Sequence, residues 1–163
     1  MAGGASSKPL LTFEDFPVGR VFDLGVKDVV ESEVLDFARA YDPQPFHLDR
    51  AAAEKSILGG LSASGWHTCA MLMRMIFDAY LKDTASLGSP GLEQVRWRRP
   101  VLVGDRLTGT SRVTEARISG SRPGMGILRV VHELKNQKGE VVIVWDGTQF
   151  VSTAASLAAG GAT

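Results

Sequence analysis

The rhythm of apolar and polar positions changes near Pro90. Upstream of it, apolar residues recur at helical spacing. Val34, Leu35, Phe37 and Ala38 form one stripe over Glu31 to Ala40, with Ser32 as a candidate N-cap. Asp49 to Lys55, rich in alanine and capped by Asp49, predicts a second short helix. After a break at Gly59-Gly60 comes the longest helical run, Gly65 to Lys82. It is apolar nearly all round, which predicts a buried helix rather than one lying on a surface. Arg74 and Asp78 interrupt it one turn apart and are placed to pair where the helix emerges. The run is too short and too interrupted to span a membrane. A first strand is expected near Val21 to Val30, entered by a loop from Phe13 to Gly19.

Downstream of Pro90 the pattern is that of strands: Leu92 to Arg99, Leu107 to Ile118, Ile127 to Asn136 and Val141 to Val151. The third alternates most cleanly, with Leu128, Val130 and Leu134 on one face and Arg129, Glu133 and Lys135 on the other. Asn136-Gln137-Lys138-Gly139 is a hairpin turn joining the last two strands. No helical segment interrupts these four runs, so antiparallel pairing follows. About five strands and one buried helix predict an α+β domain with a sheet wrapped around that helix. Its expected extent is residues 13–153, between Gly/Ala/Ser-rich tails at residues 1–12 and 154–163 that are expected to be disordered.

Charge removes several function classes. Lys+Arg and Asp+Glu are 18 each, so no basic excess points to nucleic acid or an anionic membrane. The single cysteine, Cys69, excludes an intrachain disulfide and fits a reducing compartment. Met1 to Leu11 has neither a basic n-region nor an apolar h-region, so a secretory signal is not expected there and a cytoplasmic location is.

Asp42-Pro43-Gln44-Pro45-Phe46-His47-Leu48-Asp49 carries the candidate chemistry. Asp and His are suited to moving protons near neutral pH. Their separation of five is wrong for one helix face, and Pro43 and Pro45 exclude a continuous helix. An extended, stiff loop is therefore expected, able to converge two groups on one small substrate.

Taken together, these elements resemble the hot-dog fold. Asp42-x-x-Pro45-x-His47-x-Asp49 resembles the signature of MaoC-like dehydratases and (R)-specific enoyl-CoA hydratases. Ala63-Ser64-Gly65-Trp66 opens the long helix at the spacing where that family places a glycine. Arg98-Arg99-Pro100-Val101-Leu102-Val103-Gly104-Asp105 fits its strand, Pro-Val and Gly-Asp pattern. The resemblance covers about Phe13 to Val151. Three positions depart from it. Gln44 stands where many members carry Asn, and Ser64 where relatives often have His. No serine lies between Thr68 and Ala85, where some hydratases place one to support the catalytic carboxylate.

The resemblance implies (R)-specific hydration of a 2-enoyl-CoA, or the reverse dehydration, with no metal or redox cofactor and with coenzyme A as part of the substrate. Asp42 is implied as the principal base, with His47 orienting the water and sharing in proton return. Gly65, at a helix start, offers an unpaired backbone N–H and the positive end of the helix dipole to the thioester oxygen. Gln44, Phe46, Ser64 and Trp66 are implied as substrate contacts. Arg96, Arg98 and Arg99 form the densest basic cluster, either a solvated strand face or a clamp for coenzyme A phosphates. Alternation would put Arg96 and Arg98 on one side and Trp97 on the other. A homodimer joined edge to edge is expected, with a dimer of dimers as a further step.

His67 reads as a core histidine, His132 as packed beside Val130 and Leu134, and Cys69 as an inert small hydrophobe. A metal site from His47, Asp49 and His67 matches no common ligand spacing. Met71, Met73 and Met75 read as core filler, some able to line an adaptable acyl pocket. The competing functions are acyl-CoA thioester hydrolysis on the same fold, and an acyl-CoA or acyl-carrier-protein binding module without turnover. The only acidic residue on the long helix, Asp78, lies late for a thioesterase carboxylate.

Overall fold

The computed structural model describes residues 9–160. In chain order its elements are β1 (Val21–Asp28), α1 (Glu31–Tyr41), α2 (Pro45–Leu48), α3 (Arg50–Lys55), α4 (Gly65–Ala79), β2 (Ser86–Trp97), β3 (Arg106–Ile118), β4 (Met125–Lys135), β5 (Val141–Ser152) and α5 (Ala154–Ala158). The five strands form one antiparallel sheet in the order β1-β3-β4-β5-β2, which leaves β1 and β2 as its edges. Across the sheet lies α4, and this is the hot-dog fold.

Alternation along β4 decides the core. Leu128, Val130 and Leu134 are buried, as the pattern predicts, and so is His132 between them. They meet Leu72, Met75 and Ile76 of α4 in one cluster with Leu107, Val113, Val142 and Ile143. The hairpin at Asn136–Gly139 forms as expected, with Gly139 at φ +77° and its N–H donating to the Asn136 carbonyl at 3.0 Å. Asp49 caps α3 by accepting from the Ala52 N–H at 2.7 Å.

Several boundaries differ from the sequence reading. Ser32 is not a cap; Val30 holds the N-cap position of α1, without a side-chain bond. The long helix stops at Ala79 instead of Lys82, and Leu81–Asp83 tightens into a 3₁₀ turn. Pro90 lies inside β2, because a proline's missing N–H is tolerated on an edge strand. That strand ends at Trp97, leaving Arg98 and Arg99 beyond it.

Ala154–Ala158, expected in a disordered tail, forms a turn of helix capped by Thr153. Leu11, expected in the other tail, exchanges backbone bonds with Asp83 and Ala85 at 2.7 and 2.8 Å. The rest of both expected tails, residues 1–8 and 161–163, lies outside the described residues. One stripe of α4 is not buried: Trp66, Met73 and Phe77 are exposed on the single chain. The sheet of one chain covers only one side of an apolar helix.

Candidate active site

The proline segment is not an extended loop. Asp42 ends α1, its N–H donating to the Ala38 carbonyl at 2.9 Å, and Pro43 prevents continuation. Pro45 then occupies the first position of α2, where its fixed φ suits a helix start and its missing N–H costs nothing. This single turn carries His47 back towards Asp42. The broken helix, not an extended run, converges the two groups: His47 Nε2 lies 3.5 Å from Asp42 Oδ2.

His47 is buried, and its Nδ1 lies 2.8 Å from the Ser62 carbonyl. A carbonyl only accepts, so Nδ1 carries the proton and Nε2 is the nitrogen turned to Asp42. Two donors hold the carboxylate, Ser64 Oγ–H to Oδ2 at 2.6 Å and Gln44 Nε2–H to Oδ1 at 2.7 Å. The Ser64 hydrogen bond is the main reason why Asp42 sits below the usual carboxylate range. Burial opposes that shift, while Gln44 and His47 add to it. Asp42 is therefore an ionised acceptor at neutral pH.

Ser64 is also the N-cap of α4, accepting from the Trp66 N–H at 3.3 Å. The next residue, Gly65, has a backbone N–H with no acceptor among the described residues. Its carbonyl accepts from Trp97 Nε1–H at 2.9 Å, and a Cβ at this position would lie 2.8 Å from the indole. Glycine is required here by the close approach of Trp97. Trp66 meets the same indole edge to face at 5.5 Å and is exposed.

His47, Gly65 and Phe46 line a cleft of about 340 Å³ together with Trp97, Arg98 and Arg99. Arg96 does not line it. Alternation fails at Arg98 because β2 has already ended, so Trp97 and Arg98 face the same space. Gln44 and Ser64, expected as substrate contacts, both bond Asp42. Ser64 takes the supporting role that the sequence offered to no serine of α4. Ser62 was missed altogether; it acts through its backbone carbonyl, which no side-chain pattern reports.

The other candidates lie elsewhere. His67 is buried, stacks on Phe37 at 4.8 Å and is held below the usual histidine range by that burial. Cys69 is buried, and burial pushes its thiol up. Arg74 Nε and Asp78 Oδ2 pair at 2.7 Å, exposed. Asp49 is committed to its cap.

A family model described as "MaoC like domain" matches residues 14–135. A MaoC-like dehydratase from Rhodospirillum rubrum is similar in structure at TM-score 0.79 and 36% identity, covering 88% of this chain and 97% of that one. The uncharacterised protein YdeM of Bacillus subtilis is 28% identical over 129 residues, 78% of this chain and 89% of its own length. An R-hydratase from Pseudomonas aeruginosa, 22% identical with TM-score 0.71 over 87% of this chain and 85% of its own, shares the fold.

Proposed function

The chain belongs to the MaoC-like domain family, and from that premise we propose that it adds water to 2-enoyl-CoA thioesters with (R) stereochemistry, or removes it from 3-hydroxyacyl-CoA. The observation that carries this reading is the juxtaposition of Asp42 Oδ2 and His47 Nε2 at 3.5 Å, beside a cleft into which Gly65 brings an unpartnered N–H.

Two acceptors this close need a donor, and one water can give a hydrogen to each. Its oxygen lone pair is then free to attack C3 of the enoyl group. As the C3–O bond forms, the water's proton passes to the pair, with Asp42 as principal base. Charge moves to the thioester oxygen, which the Gly65 N–H receives at the positive end of α4. The pair returns a proton to C2, so protons balance over the cycle and no redox cofactor is called for. Because Asp42 is held ionised, its contribution rests on position as much as on basicity.

Arg98, in the cleft, is assigned to the phosphates of coenzyme A. The exposed edge strand β2 and the exposed Trp66 and Phe77 on α4 fit a homodimer joined along β2, which can pair again. A cytoplasmic setting fits the single reduced cysteine. Thioester hydrolysis is the weaker reading, since Asp78 is paired with Arg74 on the exposed face.

Loss of enoyl-thioester absorbance with crotonyl-CoA tests the proposal, with Asp42→Asn and His47→Gln beside the parent. Turnover by the parent that falls at least about a hundredfold in each folded variant is expected. Release of free thiol without hydration would overturn it.

A further inference from the structure

A second cavity, about 240 Å³, is lined from α4, β2, β4 and β5. Gly65 and Thr68 line the first cleft, and Met73 and Ile76 line this one. Eleven residues make three helical turns, so Gly65 and Ile76 share a face of α4 about 16 Å apart. Along β2, the strand of Trp97 continues back to Leu92, which lines the second cavity. The two spaces are successive stations on one helix and one strand.

Its walls set Met73, Ile76 and Leu92 beside Ser86, Ser89 and Thr148, and its floor is polar. Ser111 and His132 stand opposite each other on β3 and β4, both buried, with Ser111 Oγ 2.6 Å from His132 Nδ1. Beside them Gln149 Nε2–H donates to the buried Tyr80 Oη at 3.1 Å. His132 and Gln149 line the cavity. His132 Nε2 has no hydrogen-bond partner among the described residues. Among the described residues no lysine or arginine lines the cavity, and burial favours the neutral form of His132.

We propose that this cavity receives the distal part of the acyl group and selects chains carrying an uncharged hydrogen-bonding oxygen, a hydroxyl or a keto group, which His132 Nε2 and Gln149 recognise. The inference rests on the hydratase reading for the identity of the ligand as an acyl thioester. Met73 and Leu92 hold the methylenes, and the polar floor reads the oxygen. A carboxylate is disfavoured because no cation meets it.

The test is calorimetric binding of saturated acyl-CoAs, which do not turn over, at each length from octanoyl to tetradecanoyl. Each is compared as the plain, ω-hydroxy and ω-carboxy ester. At the matching length the ω-hydroxy ester should bind about tenfold more tightly than the plain one, the worth of one uncharged hydrogen bond. The ω-carboxy ester should gain nothing. Ser111→Ala/His132→Leu should abolish the preference, with thermal unfolding as the folding control; if that variant does not fold, Gln149→Met reads the same preference. Equal binding of plain and hydroxy esters at every length, a preference surviving in the variant, or tighter binding of the carboxy ester would overturn the proposal. Absent crotonyl-CoA turnover by the parent would remove the hydratase reading separately, because the binding comparison needs no turnover.

Discussion

Ser64 Oγ lies 2.6 Å from Asp42 Oδ2, and the same hydroxyl receives the Trp66 N–H at 3.3 Å. One side chain thus links the carboxylate at the end of α1 to the start of α4, where the next residue presents the free N–H. The proposed base and the proposed oxyanion donor are thus linked through a residue that need not touch the substrate. Such positioning is worth much of a catalytic rate.

Ser64→Ala should lower kcat by about ten- to a hundredfold, the range for a hydrogen bond to a charged group. Since Ser64 is the leading cause of the lowered Asp42 pKa, its loss raises that pKa. The acid limb of the pH–rate profile should then move to higher pH. Ser64→Thr should restore both, whereas Ser64→Asp keeps a good helix cap but sets a second carboxylate against Asp42. A profile unmoved in Ser64→Ala and Ser64→Asp would leave the serine a cap only.

Gly65→Ala places a methyl 2.8 Å from the Trp97 indole. Overpacking of this kind costs about 1–3 kcal/mol. The indole must move, taking with it its bond to the Gly65 carbonyl. Activity should fall at least about tenfold with the fold retained, since misplacement of about an ångström has effects of that size or larger. In Gly65→Ala/Trp97→Ala the loss should be smaller than the sum of the single losses. Additive losses in kcat/KM and in unfolding free energy would show that the two residues do not compete for the same space.

Arg98 lines the cleft and Arg96 does not. Arg98→Ala should raise KM for a coenzyme A thioester by about tenfold, and leave KM for the phosphate-free pantetheine thioester unchanged. Arg96→Ala should change neither. Equal effects on both thioesters would move Arg98 from phosphate binding to shaping of the cleft.

Burial pushes His132 down to about 4 from 6.5. Between these values the unfolded chain binds a proton that the folded chain does not. Stability should therefore fall as pH drops through that window, by up to about 3 kcal/mol, and be unaffected by this group above it. His67, also lowered by burial, acts in the same direction. Asp42, with its lowered pKa, contributes stability that is lost only as pH falls below 3.8. Urea unfolding between about pH 7 and 4.5 measures the slope, and Ser111→Ala/His132→Leu should flatten it. An unchanged slope would assign the acid sensitivity to other groups.

Local chemistry made much of the chain legible in advance. The alternation of Leu128, Val130 and Leu134, the Asn136–Gly139 turn and the Asp49 cap each depend on residues within a few positions of one another. The pairing of Asp42 with His47 was also legible, although the backbone that joins them is a turn of helix and not an extended loop. Proline at a first helical position reads ambiguously, since the same residue breaks one helix and starts another.

The sequence by itself determined the order of the strands and of α1, α3 and α4, because period, caps and turns act over a few residues, and its resemblance to a known family supplied the hot-dog arrangement and supported the two residues offered for proton transfer. Only the tertiary structure decided what surrounds them. Ser64 reaches Asp42 across 22 positions, Trp97 reaches the Gly65 carbonyl across 32, and Ser111 meets His132 across 21. Those bonds depend on where the sheet sets α4, on strand register and on which edge stays open. No local pattern encodes such distances, since they arise only when separate elements bury their apolar faces against one another.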